Sequence, residues 1–541
     1  MIVGERGSRR LPEARTRALV PLLRAVTGRP WLIGAAILTL WALVPIGVAL
    51  IHVLRHGGVI TGTDAVLAGG DQQQYLASIR GSGEHLLIAN QFRLGASPAV
   101  YLNPMYLISG VLWRLGLDLR LSLLIWTPVA AALLAGGVWA YLRRLLAPGH
   151  PGQQAAAAAL AIFFFSPVLP ALQWTGAQLS AHVRAALLLT SAEAMPGWQL
   201  WGYLHTVIVL GLMPLCLLAI ERALAADHRR VGRSTRWYLG WASAGGAVIG
   251  WLHPWQGLVM LAIMGGLTVW GRFAPRYRLL ALPALATLAP MVYLFVLSRA
   301  NHDWQIFSAQ NRAFHDPVWV LLATLCPLVV PALFGVRARI ADDDQERILL
   351  LWPVACVAVY LAVDQFPFHA LQGISIPLAV LAVRGWRRLS LPGLAGAGCI
   401  ALLTIPGIVF QLDTFHSNLP YAPYWLTNGE NAALRYLDRA PGNGGVLSRF
   451  YLGSTVPAFT GRSTWVGHYV WTPDFTHRLR TAEQLFDGRI PPFQTQALVR
   501  STGAIYVLTD CESHIDLAPI LGELVLSTHR FGCAAVYQVT R

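Results

Sequence analysis

The stretch WLIGAAILTLWALVPIGVALIHV, residues 31–53, decides the fold class of this chain. It holds no Asp, Glu, Lys or Arg, and about 20 apolar residues suffice for a helix to cross a bilayer. Seven arginines precede it within residues 1–30. Because the apolar run is too long for a signal-peptide core and no cleavage site is evident, we interpret it as a retained first membrane helix.

The composition of the whole chain agrees with this interpretation. Of the 541 residues, 55% are hydrophobic and only 12% are charged, against about 25% charged in soluble domains. The mean hydropathy is +0.51. These values exclude a cytosolic enzyme, a fibrous protein and a disordered chain. The net charge of +15 comes from arginines that separate apolar segments, so we predict no nucleic-acid partner, which would need a basic soluble face.

Further apolar runs predict about eleven membrane helices, and hence an all-α polytopic membrane domain. They cover residues 31–53, 121–141, 154–172, 200–220, 238–252, 257–271, 279–298, 317–336, 348–363, 370–383 and 392–412.

Arginine counts fix the predicted orientation, since short cytoplasmic loops are enriched in Lys and Arg. With the N-terminus inside, the cytoplasmic segments hold 23 arginines and the outward loops between spans hold 8. A further span near Asn103 would invert this contrast, so we predict that this segment is an amphipathic helix on the outer surface. The expected location is the plasma (inner) membrane of a bacterium, with an extracytoplasmic C-terminal domain.

The domain map follows from these spans. Residues 1–30 form a basic cytoplasmic N-terminus, residues 31–412 a transmembrane domain with a large outward loop at 54–120, and residues 413–541 an extracytoplasmic domain. A helix-like run at residues 430–438 and strand-like runs at 445–448, 504–508, 524–527 and 534–539 predict that the last domain is small and α/β. Cys511 and Cys533 lie in it, and an oxidising compartment would allow them to pair.

Acidic residues are scarce, and two of them lie on successive outward loops. Asp71 follows two glycines in GGDQQQY, residues 69–75, and begins a predicted helix; Glu193 lies in the second outward loop. One carboxylate could deprotonate a hydroxyl nucleophile, and the other could orient a donor or hold a metal. The structural alternatives are a helix N-cap at Asp71 and a solvated loop acid at Glu193.

The other outward loops contribute cations and imidazoles. A lipid phosphate at the outer surface would first meet Arg299 or Arg312, since an arginine fork suits phosphate. His253 ends one predicted span and His369 closes a later outward loop, although single histidines are more often structural. In the C-terminal domain, His468 and Arg478 lie in a Trp-rich cluster that suits either sugar binding or the bilayer interface.

In these features the chain resembles the GT-C superfamily, which consists of integral-membrane glycosyltransferases that use polyprenyl-phosphate sugars. The resemblance lies in one amino-terminal span, a long outward loop with an acid, about ten further spans and a soluble C-terminal domain. Asp71, which is followed by Gln-x-x-Tyr75, stands where the family has its first-loop catalytic acid. Asn103-Pro-Met-Tyr106 is similar to a segment of the protein mannosyltransferase and aminoarabinose transferase branches. Gln72 replaces the second acid of a contiguous pair, which puts a metal requirement in doubt.

The resemblance implies inverting transfer of a sugar from a polyprenyl-phosphate donor to an extracytoplasmic hydroxyl on a glycan, lipid or protein. Asp71 would be the general base, Glu193 a second catalytic acid, and Arg299 or Arg312 would neutralise the leaving phosphate, so that no protonated acid is strictly needed. The predicted substrate-binding residues are Asp64, Gln72, Tyr75, His253, His369, His468 and Arg478.

The sequence names no certain cofactor and leaves a divalent metal open. Membrane lipids are expected partners. A lipid or glycan transporter or flippase and an envelope polymer ligase remain the alternatives. Against a transporter, we find no internal duplication of the kind that many transporters contain.

Overall fold

The computed structural model describes residues 30–62, 70–146, 150–225, 232–312, 315–337, 343–390, 393–419, 423–442, 444–513 and 515–540. Asp64 and the N-terminal segment 1–29, which belongs to the predicted cytoplasmic N-terminus, therefore lie outside the described residues. Within these ranges, seven helical segments are long and apolar enough to cross a membrane. They are Pro30–His56, Leu119–Leu145, Leu204–Ala225, Pro275–Ala300, Val318–Gly335, Asp344–Ala362 and Gly393–Asn418.

Each of the eleven predicted spans coincides with a helix or a pair of helices. The pair Pro151–Phe163 and Val168–Trp174 is bent by 67° and would count as an eighth span. The other three predicted spans correspond to the helices Arg233–Leu252, Pro254–Trp270 and Ser375–Arg388. The last has only 14 residues and is enclosed by other helices, which relieves it of contact with lipid. The protein is therefore a multi-pass membrane protein, with seven or eight spans supported by length and composition alone.

Shorter helices connect these spans or lie beside them. The long segment Leu119–Leu145 consists of the helices Leu119–Leu124 and Trp126–Leu145, and Pro275–Ala300 consists of a 3₁₀ turn and the helix Ala281–Ala300. The other connecting elements are Ala181–Glu193, Pro196–Gln199, His302–Gln310 and the 3₁₀ turns Pro275–Leu280 and Pro367–Leu371.

The first loop contains two packed helices, Asp71–His85 and Pro104–Arg114. The predicted surface segment is thus a helix, and its N-cap Asn103 accepts hydrogen bonds from the amides of Met105 and Tyr106. Where the helices cross, a Cβ on Gly83 would lie 2.7 Å from the carbonyl oxygen of Gly110. Only glycine allows the two backbones to approach this closely.

The C-terminal domain is α/β, as predicted. Strands β3 (Val446–Ser448), β4 (Tyr506–Thr509), β5 (Val525–Phe531) and β6 (Ala534–Val539) form a sheet in the order β3-β4-β6-β5, parallel only between β3 and β4. The helices of this domain are Asn428–Arg439, Phe450–Thr460, Phe475–Phe486, Pro492–Thr502 and Ala518–Leu521, with a 3₁₀ turn at Gly522–Leu524.

The two cysteines of this domain are bonded to each other. Cys511, after β4, and Cys533, in the turn between β5 and β6, form the disulfide that the sequence suggested. The backbone amide of Cys511 also donates to the carboxylate of Glu430, 3.1 Å away. The disulfide therefore joins the end of β4 to the turn between β5 and β6, and the hydrogen bond to Glu430 holds this corner of the sheet against the start of the helix Asn428–Arg439.

The C-terminal domain packs against the first loop. Strand β1 (Val59–Ile60), just after the first span, pairs antiparallel with β2 (Trp425–Leu426). Arg80 forms an ion pair with Asp438 at 2.8 Å, and the helix Phe450–Thr460 packs on the helix Asp71–His85. These contacts bring residues near position 470 over the start of the first-loop helix.

Candidate active site

A cavity of about 620 Å³ lies between the helical domain, the first loop and the C-terminal domain. Its size suits a small-molecule site. Five of the residues predicted from the sequence line it, namely Asp71, Tyr75, Glu193, His369 and His468. They come from four separate parts of the chain, so the fold brings together groups that the sequence keeps far apart.

Asp71 is the first residue of its helix, not its N-cap. Gly70 occupies the cap position with φ of +70°, a left-handed conformation that favours glycine, and no side chain caps the helix. The N-cap alternative for Asp71 is therefore wrong. Its carboxylate instead receives a hydrogen bond from the hydroxyl of Tyr203, with Oδ2 at 3.0 Å, while Oδ1 lies 3.1 Å from Nε2 of His468.

The surroundings of His468 determine which of its ring nitrogens holds the proton. The backbone amide of Val470 donates to Nδ1 at 3.3 Å, which leaves Nε2 as the N–H that faces Asp71. Burial raises the pKa of the Asp71 carboxyl, but the hydrogen bonds from His468 and Tyr203 outweigh burial and hold its pKa below the usual value. Asp71 is thus ionised at neutral pH, as a general base must be.

Glu193 is buried, so the interpretation of it as a solvated loop acid is wrong. It ends the helix Ala181–Glu193 and is 6% exposed. One of its oxygens accepts a hydrogen bond from the amide of Gln372, and the other lies 3.8 Å from Nε2 of His369. Burial raises the pKa of the Glu193 carboxyl to about 7, an effect that the Gln372 hydrogen bond only partly offsets.

Two imidazoles, His205 and His369, line one wall of the cavity, and the third, His253, does not reach the lining, so its predicted contact with substrate is not direct. The ring centroid of His253 lies 5.3 Å from that of His369 and 6.5 Å from that of His205. His253 stands behind His369 and caps the helix Pro254–Trp270 through Nδ1. Burial lowers the pKa of His369 to about 4, so this imidazole is neutral at pH 7 and leaves the Glu193 carboxyl without a cationic partner.

Aromatic rings cover much of the remaining lining. Trp471, in the loop after His468, packs edge-on against Trp304 with centroids 5.3 Å apart, and Tyr75 stacks on Tyr106 at 5.8 Å. The lining also includes Trp251 and Trp255. The sequence left two interpretations of the Trp-rich cluster around His468, sugar binding and docking at the bilayer interface. Trp471 of this cluster lines a cavity with polar edges, an arrangement that suits a sugar ring.

The predicted arginines lie elsewhere. Arg299 and Arg312 are exposed and do not line the cavity, although their chain neighbours Ser298 and Asn311 do. Arg478 packs on Trp465 and donates to its carbonyl oxygen at 2.9 Å, so it supports the C-terminal domain from behind the cavity. Within the described residues, no arginine is among those that line the cavity.

Gln72 also faces away from Asp71. It lines a second, more apolar cavity of about 420 Å³, beside the first span. The sequence did not single out Tyr203, His205 or Gln372. His205 lies inside a predicted span, and an ionisable group there is a usable signal. Tyr203 and Gln372 gave no such signal, because their partners lie far away in the sequence. Tyr203 is separated from Asp71 by 132 residues, and Gln372 from Glu193 by 179.

In the part of the chain that the structure describes, no three carboxylate, imidazole or thiolate groups converge on a point that could hold a metal ion. Both oxygens of Asp71 already face His468 and Tyr203. We therefore derive no step through a metal.

Comparison with solved structures identifies the fold. The archaeal oligosaccharyltransferase AglB from Archaeoglobus fulgidus, in complex with an inhibitory peptide and a dolichol-phosphate, matches with a TM-score of 0.52 and 11% identity, over 92% of this chain and 71% of AglB. ArnT from Cupriavidus metallidurans, bound to undecaprenyl phosphate, matches with a TM-score of 0.50 and 14% identity, over 92% of this chain and 97% of ArnT. The chain has the GT-C fold.

A third match is the Archaeoglobus fulgidus oligosaccharyltransferase in complex with Zn and sulfate, with a TM-score of 0.50 and 12% identity, over 92% of this chain and 71% of the other. No protein-family model matches the chain, and a comparison with curated proteins gives no match. At these identities the GT-C fold is shared, while the reaction has to be argued from the residues of the cavity.

Proposed function

We propose that this GT-C protein transfers a sugar from a polyprenyl-phosphate donor to a hydroxyl group of an extracytoplasmic glycan, lipid or protein. The observation that supports this most is the carboxylate of Asp71, ionised and oriented by His468 and Tyr203, at the edge of an aromatic cavity of about 620 Å³. Two matched proteins were solved with a polyprenyl phosphate, which is consistent with such a donor.

Asp71 is proposed as the general base. It would accept the proton of the acceptor hydroxyl while the oxygen attacks the anomeric carbon and the bond to phosphate breaks on the opposite face, with inversion. The hydrogen bonds from His468 and Tyr203 hold the carboxylate in one orientation. Holding donor and acceptor in register would supply much of the rate enhancement.

Arg299 and Arg312 are proposed to attract the donor phosphate at the edge of the cavity. Both guanidinium groups are exposed, and Arg312 forms a backbone bridge with Gln365, which lines the cavity. An exposed charge at the edge of a site increases the local concentration of an oppositely charged substrate. The two arginines would therefore act on donor capture and not at the reacting carbon.

The cavity is proposed to face the extracytoplasmic side of a bacterial plasma membrane, with the N-terminus in the cytoplasm. The arginine distribution supports this orientation. The disulfide in the C-terminal domain supports it as well, because such bonds persist in oxidising compartments.

The test is transfer by purified protein in lipid nanodiscs, with radiolabelled polyprenyl-phosphate sugars and a mixture of envelope acceptors. We expect Asp71→Asn to lower kcat by at least about 10²-fold with an unchanged melting temperature, as for loss of a general base. Glu523→Gln, an exposed acid of the C-terminal domain, is the matched control and keeps its activity. Equal transfer by folded Asp71→Asn would refute the role of Asp71.

The same preparation separates the alternatives. Uptake of lipid or glycan into vesicles without any transfer would favour a transporter or flippase. Transfer only from a diphosphate-linked glycan would favour an envelope polymer ligase.

A further inference from the structure

Glu193, Gln372 and His369 line one part of the cavity, and none of the described lining residues is an arginine. The histidine is neutral because burial lowers its pKa to about 4. A phosphate that leaves beside these residues would therefore be met by a hydrogen-bond or proton donor and not by a cation.

Glu193 has the geometry of such a donor. It is 6% exposed, so its ionised form is poorly solvated. The Gln372 amide donates to one oxygen, Oε2. The other oxygen, Oε1, lies 3.8 Å from Nε2 of His369, too far for a hydrogen bond, which leaves a proton on Oε1 available to a ligand.

One further polar atom nearby has no partner. Nδ1 of His369 is buried without a hydrogen bond in the described structure, and His369 lines the cavity. A buried polar atom without a partner is costly, which supports a polar ligand group beside His369 and Glu193.

We propose that Glu193 is the general acid that protonates the leaving phosphate, an inference that rests on the proposed transferase function. The acceptor oxygen bonds to the anomeric carbon and its proton passes to Asp71. The bond between the anomeric carbon and the phosphate oxygen breaks, and its electron pair stays on that oxygen. The proton of Glu193 passes to the phosphate, which leaves as a monoanion. Asp71 then releases its proton to solvent and Glu193 regains one.

The titratable groups around Glu193 are few. Asp71 and His369 face it across the cavity, and His205 and His253 stand beside His369. On the outer side of the same helix, Thr190 donates to Asp316, near which His182 and His315 lie. Because the pKa of Glu193 is raised to about 7, the acid is present below that pH and is lost above it.

The experiment is the pH dependence of kcat in wild type, Glu193→Gln and Asp316→Asn. In wild type we expect kcat to fall tenfold per pH unit above about pH 7. In Glu193→Gln, which keeps a hydrogen-bond donor but has no acidic proton, we expect kcat about 10²-fold lower, no fall above pH 7 and a donor KM within threefold. Asp316→Asn, an acid outside the cavity, keeps the wild-type profile.

Infrared spectroscopy of wild type supplies a second measurement that does not need an active variant. We expect a band of a protonated buried carboxyl that disappears on titration through about pH 7. Absence of this band, or an unchanged fall of kcat above pH 7 in Glu193→Gln, overturns the role of Glu193 while the transferase function stands. No transfer by wild type from any polyprenyl-phosphate sugar overturns both proposals.

Discussion

The Nε2 atom of His468 lies 3.1 Å from Oδ1 of Asp71, although 397 residues separate the two in the chain. The first belongs to the C-terminal domain and the second to the loop after the first span. The ring presents its N–H to the carboxylate because the Val470 amide occupies its other nitrogen. The domain interface thus adjusts the basicity of the carboxylate that we propose as the base.

Replacing His468 changes the pH dependence of transfer. Its hydrogen bond lowers the pKa of Asp71, so His468→Phe raises that pKa, and the base becomes protonated at a higher pH. We expect the acid limb of kcat/KM to move to higher pH, with a loss of about tenfold at pH 5 and a smaller loss at pH 8. His468→Gln, which retains a donor, shifts the limb less. His477→Gln, an exposed histidine of the same domain, serves as control; an unmoved limb in His468→Phe would contradict the coupling.

Removing the two exposed arginines separates donor capture from catalysis. In Arg299→Gln combined with Arg312→Gln, we expect the donor KM to rise about tenfold at low salt while kcat stays within twofold, because the guanidinium groups lie outside the cavity lining. The KM difference shrinks at high salt, since exposed charges are screened. Arg500→Gln, exposed on the C-terminal domain, is the matched control. A fall in kcat with KM unchanged would place an arginine at the reacting phosphate instead.

The disulfide provides a test of orientation that does not depend on activity. Non-reducing mass spectrometry of protein matured in cells should find the Cys511–Cys533 bridge. Replacing both residues by Ser should lower the melting temperature of the C-terminal domain by several degrees, because the bond restrains the unfolded chain. Free thiols at both positions in membrane-derived protein would argue against an extracytoplasmic domain.

Hydrophobicity patterns that involve only neighbouring residues predicted the helices and strands of the fold well. Each apolar run that suggested a span lies on a helix, and the strand-like runs near 446, 506 and 534 became β3, β4 and β6. Membrane helices need continuous apolar stretches, and buried strands need short apolar runs. Both can therefore be recognised from neighbouring residues in the sequence. The predicted span at 370–383 shows that an apolar run alone does not establish a membrane-spanning helix, because the helix there is short and enclosed by protein.

The site was predicted only in part. Asp71 and Glu193 stood out because acids are rare in this chain, and both line the cavity. Arg299 and Arg312 were assigned to the phosphate because they were the available cations on that side, and the structure leaves them outside the cavity lining. The burial of Glu193 could not be predicted, since it arises from helices that close around a segment with the composition of a loop.

The docking of the last domain onto the first loop has a consequence for biosynthesis. Asp71 emerges from the ribosome early, but the ring that orients it is encoded almost 400 codons later, and the tryptophan beside the cavity follows three residues after that ring. A truncated product that contains every membrane helix would insert and still lack the oriented carboxylate. The proposed base can therefore be oriented only after the segment that contains His468 has been translated and folded, and a nascent chain that ends before this segment would lack the arrangement.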